Sequence, residues 1–456
     1  MSPVREARSA APTLESTVAS APPSTSASPV LEAVTSRERH TFRGNLKSTR
    51  HGWLRLTPAY SVRLVDELLG GQPGAAGPVL DPFAGTGTTL LACSEHGLDA
   101  DTVDINPFLV WLARTKVDRY SLAHLAEAQR GLTRMRRAAV RTTKPGKAGK
   151  TARGAWVPPL HQIEKWWPPA TLAALGRAYD ALERVAADAS KPASNLLRIA
   201  FCQILIARSR AHFGHQSMSF RPRPSGDAAA SVPAEDTASD DIEALTDGLR
   251  DALERVVGAA AVALPSTRRR VFAGDARRLH EILPHGHYGS VITSPPYANR
   301  MSYIRELRPY MYWLRYLEDK SAAGVLDWKA IGGTWGSATS NLGSWCPDAG
   351  ASALPPGLEP LLAAIAETSP VLSTYVHKYF HDMALHLGSL VQVLRRGGTA
   401  WFVVGNSKFY DVVVPVEQLL ALQFEAAGFG RVSVTTLRKR SSKKELYEYL
   451  IRAEKL

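Results

Sequence analysis

The sequence predicts an α/β fold: one mostly parallel sheet, closed by an antiparallel hairpin and interrupted by a long, mainly helical insertion. Three observations predict it. From residue 60 onward, helix-patterned stretches alternate with short apolar runs that end in acidic residues. That alternation stops near residue 116 and resumes only at Arg270. The chain then closes on two consecutive strand-like runs, Val432 to Thr436 and Leu446 to Ile451. Alternating strand and helix signals imply crossover connections and hence parallel pairing.

The elements follow in order. Tyr60 to Leu69 is expected to be helical, with Ser61 as N-cap and Val62, Val65, Leu68 and Leu69 on one face. Gly70-Gly71-Gln72-Pro73-Gly74 ends it, and Val79-Leu80-Asp81 is a short buried strand. Pro82 to Gly87 forms a loop, Thr88 to His96 a helix stopped by Gly97, and Asp101 to Asp104 a second strand. Asn106 caps a third helix with Pro107 at its favoured first position. Residues 116 to about 265 are mainly helical, for example Thr171 to Ala187 and Asn195 to Arg208. Arg270 to Asp275 and Gly289 to Thr293 are the next strands. His377 to Leu394 is an amphipathic helix ended by Gly397-Gly398, and Ala400 to Val404 is an apolar strand. Leu419 to Ala427 is a last helix before the closing pair. Residues 304–350 are rich in aromatics, and 351–370 in Pro and Ala. No internal repeat is visible.

Composition narrows the function classes. The chain has 456 residues, 45% of them hydrophobic, which excludes a disordered, collagenous or coiled-coil protein. Cys93, Cys202 and Cys346 are too few for a disulfide framework and fit a reducing compartment. No apolar run approaches the roughly 18 residues that span a bilayer, and Met1 to Glu6 opens no apolar signal region. A cytoplasmic location is expected. The net charge of +13 points to an anionic partner, nucleic acid before membrane. Arg130 to Arg153 holds nine basic residues and no acidic one; it suits either phosphate contact or a solvated linker. Cys202, His212 and His215 match no standard zinc spacing, so helix packing is the expectation and no metal site is assigned.

Two motifs carry chemistry. Asp81-Pro82-Phe83-Ala84-Gly85-Thr86-Gly87-Thr88-Thr89 sits where a strand gives way to a helix, the place where doubly wound sheets bind ligands. It lacks the spacing of dinucleotide sites and the Gly-Lys-Ser/Thr of a P-loop, which argues against a pyrophosphate or triphosphate ligand. Asp104, nineteen residues beyond Gly85, ends the next strand, where a carboxylate accepts both hydroxyls of a ribose; taken alone it serves equally as a helix cap. Asp275, at the end of the third strand, is placed to receive an adenine amino group.

Thr293-Ser294-Pro295-Pro296-Tyr297 is the second motif. Two prolines enforce a rigid, extended backbone without free N–H groups. They present the Ser294 hydroxyl and Pro295 carbonyl as acceptors beside the flat face of Tyr297. That set suits a planar ring with an exocyclic amine, which donates two hydrogen bonds while its ring stacks on the tyrosine.

These motifs closely resemble motifs I and IV of the S-adenosylmethionine-dependent DNA amino-methyltransferases, and Ser-Pro-Pro-Tyr is typical of the N4-cytosine branch. The resemblance covers about 50–115 and 268–455. Tyr379 to Tyr449, including Gly405-Asn406-Ser407, also follows the family pattern, and Trp53 to Tyr60 looks like a degenerate motif X. The resemblance implies a Rossmann-like class I methyltransferase sheet with S-adenosyl-L-methionine as cofactor. It implies transfer of methyl to the N4 amine of a flipped-out cytosine in double-stranded DNA. A cognate restriction endonuclease or defence-system protein is admitted as a further partner. Ser294, Pro295, Pro296 and Tyr297 become the catalytic motif. Tyr60, Asp81, Phe83, Ala84, Gly85, Gly87, Thr88, Asp104, Ile105 and Asp275 become the cofactor site.

The implied division is a disordered tail (1–40), a first sheet part (41–115), a helical insertion that reads DNA (116–265) and a second sheet part (266–456), with 304–375 as the alternative recognition region. Arg300 and Tyr303 are placed to face the flipped base. Many Ser-Pro-Pro-Tyr enzymes carry motif IV before motif I, whereas here motif I comes first, so a recognition region is not carried over by position. Adenine N6, an RNA base, or a non-catalytic nucleic-acid-binding subunit with the same fold are the alternatives.

Overall fold

Val79–Asp81 (β1) is buried along its whole length and lies between two parallel partners, an interior strand of the main sheet. The computed structural model describes residues 44–47, 49–56, 59–71, 77–141, 155–213, 218–220, 238–299, 302–333, 337–347, 354–440 and 445–456. The expected 1–40 tail, the linker 142–154 and the stretch 221–237 lie outside the described residues.

The other strands of the main sheet are Ala100–Asp104 (β2), Arg269–Ala273 (β3), Tyr288–Thr293 (β4), Leu394–Gly405 (β5), Phe429–Lys439 (β6) and Tyr447–Lys455 (β7). Their order is β6-β7-β5-β4-β1-β2-β3. β1 to β5 pair in parallel, and β7 pairs antiparallel with both β5 and β6. This is the expected α/β class, a mostly parallel sheet compatible with a Rossmann-like methyltransferase fold, carrying a helical insertion. β1 has β2 on one side and β4 on the other, so the strand order reverses there. Ligands bind beyond the carboxyl ends of strands at such a switch point.

The helices are Val62–Gly70 (α1), Thr88–Glu95 (α2), Pro107–Val117 (α3), Leu122–Arg141 (α4), Ile163–Trp166 (α5), Pro169–Asp188 (α6), Lys191–Ala207 (α7), Ala238–Ala261 (α8), Leu279–Ile282 (α9), Tyr303–Trp313 (α10), Ala322–Lys329 (α11), Ser337–Leu342 (α12), Leu358–Thr368 (α13), Pro370–Val393 (α14) and Val416–Ala426 (α15). α3 starts as expected: the Asn106 side chain accepts from Phe108 N, and Pro107 takes the first position. Among the described residues no helix is long and apolar enough to cross a membrane.

Two cores result. Under the sheet, Leu80, Val103, Val291 and Phe402 pack with Phe380, Met383 and Leu387 of α14. The insertion helices α4, α6, α7 and α8 form a second core that reaches α3 through Phe108 and α10 through Trp313. Trp313 is fully buried, with ring centroids 5.9 Å from Trp167, 5.8 Å from Tyr179 and 5.7 Å from Phe201. Such pairs contribute about 0.5–1.5 kcal/mol each beyond their buried area. The insertion is therefore packed onto the helices that border the ends of β2 and β4.

Arg50 fastens this arrangement. Its buried guanidinium donates to the carbonyls of Lys116 (2.9 Å) and Asp118 (2.7 Å) after α3, and to Ala259 (3.4 Å), Ala260 (2.9 Å) and Val262 (3.0 Å) at the end of α8. Those are carbonyls that a helix terminus leaves without intrahelical partners.

Several elements depart from expectation. α1 begins at Val62, not Tyr60. Ser61 is extended at the N-cap but makes no side-chain cap bond; Asn45 Oδ1 accepts from Val62 N at 2.9 Å instead. α13 occupies the Pro/Ala-rich stretch: Pro355 and Pro356 precede it, and Pro360 sits in its first turn, where a missing N–H costs no intrahelical bond. α14 starts at Pro370, where the Ser369 side chain caps Leu372 N. Gly397-Gly398 does not end that helix but lies inside β5, beside a register shift against β4. Two short hairpins, Ala211–Phe213 with Met218–Phe220 and Ser407–Phe409 with Val412–Val414, were without a sequence signal.

Candidate active site at the ends of the parallel strands

β1 delivers Asp81 to the switch point, 1% exposed. Its Oδ1 accepts from Thr293 Oγ1 at 2.6 Å and from Phe83 N at 3.1 Å, while Oδ2 is buried without a partner. Burial raises the Asp81 pKa to about 7, against the pull of the bonds from Thr293 and Phe83. The loop that follows turns through two left-handed glycines. Gly85 has φ +49° and nothing but the Phe83 carbonyl, at 3.8 Å, near where a Cβ would stand. Gly87 has φ +76°, and its Cβ would meet Ala113 of α3 at 3.2 Å. The first glycine therefore leaves room for a ligand, and the second lets α3 close in behind the loop. Phe83 packs edge-on against His386 of α14, with centroids 4.8 Å apart. Ala84 and Thr88 are buried beneath the loop.

Asp104 ends β2, half-buried beside Ile105. Oδ2 accepts from Gly85 N at 3.0 Å and Oδ1 from Asn106 N at 2.9 Å. Each oxygen keeps lone-pair capacity. Burial raises this carboxyl to about 6, against the pull of those bonds. Two neighbouring carboxylates whose ionisation is opposed by burial suit a cationic ligand that also brings hydroxyl donors. Asp275 lies just beyond β3, and Arg277 engages it from the backbone N at 2.9 Å and from Nη2 at 2.6 Å. Burial pushes its carboxyl up, but Arg277 outweighs that and holds it below the ordinary value. Arg277 also reaches Asp382 at 2.8 Å. Tyr60 joins the same site: its hydroxyl meets Thr89 Oγ1, and Thr89 in turn donates to the Ile292 carbonyl at 3.1 Å.

The Ser-Pro-Pro-Tyr segment leaves β4 beside β5. Ser294 Oγ donates to the Val403 carbonyl at 3.1 Å. Its single proton is thereby engaged, and its lone pairs make Oγ an acceptor. Pro295 is buried, and Pro296 and Tyr297 are half-buried. The Arg440 guanidinium lies over the Tyr297 ring, 5.4 Å from its centroid, and Glu448 Oε1 is 3.5 Å from the phenol. The motif I residues, Asp104, Tyr60 and the Ser-Pro-Pro-Tyr segment are thus brought to one end of the sheet.

Sequence reasoning passed over Thr293 as the residue that joins the two motifs, and over Tyr379, because a lone tyrosine on a helix carries no local signal. Arg438-Lys439-Arg440 reads from sequence as exposed edge charge, but Arg440 is half-buried with its guanidinium over Tyr297. Among the weaker candidates, Cys93 and Cys202 are fully buried in α2 and α7, where burial pushes both thiols up, as packing residues. No group of metal-ligating side chains occurs among the described residues. Arg300, His215 and Pro58 lie outside the described residues. Of the basic run, Arg134 and Arg136 pair with Asp188 and Asp247 on the surface of the insertion.

Over 73 residues, 16% of this chain, the sequence is 37% identical to the type II methyltransferase M.AvaI of Nostoc sp. (strain PCC 7120) and to that of Anabaena variabilis. Over 47 residues, 10% of the chain, it is 40% identical to the type II methyltransferase M.MjaII of Methanocaldococcus jannaschii. The matched segments span 15% and 9% of those relatives. No protein-family model matches the chain, and no solved structure matches it significantly.

Proposed function

We propose that this chain is an S-adenosylmethionine-dependent DNA methyltransferase that methylates the exocyclic N4 amine of a cytosine flipped out of double-stranded DNA. The observation that carries the reading is the Ser294 hydroxyl, committed to the Val403 carbonyl and thus an acceptor, at the end of β4 beside Asp81. The segmental likeness to type II methyltransferases and the net charge of +13 support it.

The residues fit the cofactor. The unpartnered Asp81 Oδ2 offers a buried acceptor to a cationic group, and the open space at Gly85 admits a ligand against the backbone. Asp104 would take the ribose hydroxyls, and Phe83, Ala84, Gly87, Thr88, Ile105 and Tyr60 would wall the site. The adenine end falls to Asp275, which Arg277 keeps ionised and oriented. Bound S-adenosylmethionine supplies a methyl group already activated by its sulfonium.

The protein's part is placement. Flipping the base costs a few kcal/mol, which the stacking face of Tyr297 offsets. Ser294 Oγ and the Pro295 carbonyl accept the two amine hydrogens and draw the nitrogen lone pair out of conjugation. Neither acceptor is a base at neutral pH, so the proton that the amine would lose as the methyl passes from sulfonium to nitrogen, leaving a neutral thioether, would go to water. Serine in place of the acidic or amide residue usual in adenine-N6 enzymes favours cytosine. The purified chain, given S-adenosylmethionine labelled in its methyl group, is expected to label unmethylated double-stranded DNA and not RNA. Label in RNA alone contradicts the reading.

A further inference from the structure

We infer that Tyr303 and Tyr379 are positioning residues that together clamp the single peptide plane between Pro296 and Tyr297. This rests on the function proposed above and deepens it. The Tyr303 hydroxyl accepts from Tyr297 N at 2.8 Å. The Tyr379 hydroxyl donates to the Pro296 carbonyl at 2.9 Å. These are the two polar ends of one peptide unit, held by phenols from two different helices, α10 and α14.

The reason lies in the motif itself. Proline rings fix φ at Pro295 and Pro296, and a following proline restricts ψ at Ser294 and Pro295 to the extended range. The soft motion left between Ser294 and the Tyr297 ring is rotation of the Pro296–Tyr297 plane about its flanking bonds. A turn of that plane moves the stacking ring relative to the Ser294 acceptor. The two phenols remove that motion by holding the peptide: the Tyr303 hydroxyl, expected from its sequence position to face the flipped base, is engaged by Tyr297 N instead. Both are built to stay neutral: burial raises Tyr303 to about 12 and Tyr379 well above its ordinary value. Tyr379 is 1% exposed, and Tyr303 opens α10, whose Ser302 cap is itself tied to Asp327 Oδ1 at 2.8 Å. Both clamps are thus set in packed structure.

The test uses the full chain and the variants Tyr303→Phe, Tyr379→Phe and the double, which remove only hydroxyls. Tyr312→Phe is the control: its hydroxyl, also on α10, bonds the Asp319 carbonyl instead. Each clamp variant is expected to lower kcat about tenfold, and the double up to about a hundredfold, with KM for cofactor unchanged. Hydrogen exchange read on the peptide covering 294–299 should show the Tyr297 amide exchanging at least about tenfold faster in Tyr303→Phe. The control should match wild type in both. Wild-type kcat in both single variants, or a fall in kcat that tracks equally weakened cofactor binding, overturns the clamp. A wild-type chain that methylates no nucleic acid contradicts the proposed function instead, and the exchange result then decides the clamp alone.

Discussion

Thr293 donates its hydroxyl proton to Asp81 Oδ1 across 2.6 Å, so the last residue of β4 is fastened to the last residue of β1. The acceptor motif and the Gly-containing loop therefore share a buried carboxylate, and what perturbs one is felt by the other.

That carboxylate makes stability fall with pH. Its folded pKa, about 7, lies above the unfolded value near 3.9, so the native state keeps a proton that the unfolded chain has lost. Between about pH 4 and 7 the folded state loses on the order of 4 kcal/mol from this group, and nothing further above it. Asp104, raised to about 6, acts in the same sense over a narrower window. Asp81→Asn cannot ionise, so its stability relative to wild type should climb from pH 4 to 8 in urea titrations. A constant difference across that range contradicts the prediction. With cofactor, wild-type affinity should rise through pH 7, and the variant's should not.

The two glycines of the loop should separate on substitution. Gly87→Ala meets both a left-handed φ and the α3 backbone, and should cost about 2 kcal/mol or more by thermal unfolding. Gly85→Ala meets only the φ penalty, about 1 kcal/mol, but should weaken cofactor binding in calorimetry. Equal stability losses with unchanged cofactor affinity would contradict the assignment of Gly85 to the ligand face.

Ser294→Ala should leave cofactor affinity intact and lower kcat by about 10²–10³. The loss of one half-buried bond to Val403 O should cost about 1 kcal/mol of stability. Wild-type turnover in this variant would remove Ser294 from the amine site.

Arg50→Met should be the most destabilising of these changes, on the order of 3–5 kcal/mol, because it strips carbonyls at the ends of α3 and α8 of their donor. Urea denaturation reads it directly. A loss under about 1 kcal/mol would mean that the insertion does not depend on this tie.

Much of this architecture is legible in local sequence. Strand-ending Asp81 and Asp104, the Asn106-Pro107 helix start and the Ser-Pro-Pro-Tyr run each carry their own signal within a few residues. What escapes is set by partners far along the chain. Arg50 reaches carbonyls beyond residue 258, Thr293 finds Asp81 across the sheet, and Tyr379 meets Pro296 from another helix. Gly397-Gly398 misleads for a related reason: a glycine pair breaks a helix or bulges a strand, and pairing with β4 decides which.

The most direct measurement is nucleoside mass spectrometry on DNA and RNA from a methylation-deficient host that expresses this chain, beside one expressing Ser294→Ala. The assignment of Ser294 to a cytosine N4 site requires N4-methylcytosine in DNA from the first and its absence from the second. N6-methyladenine, a mark confined to RNA, or no new mark at all would contradict it.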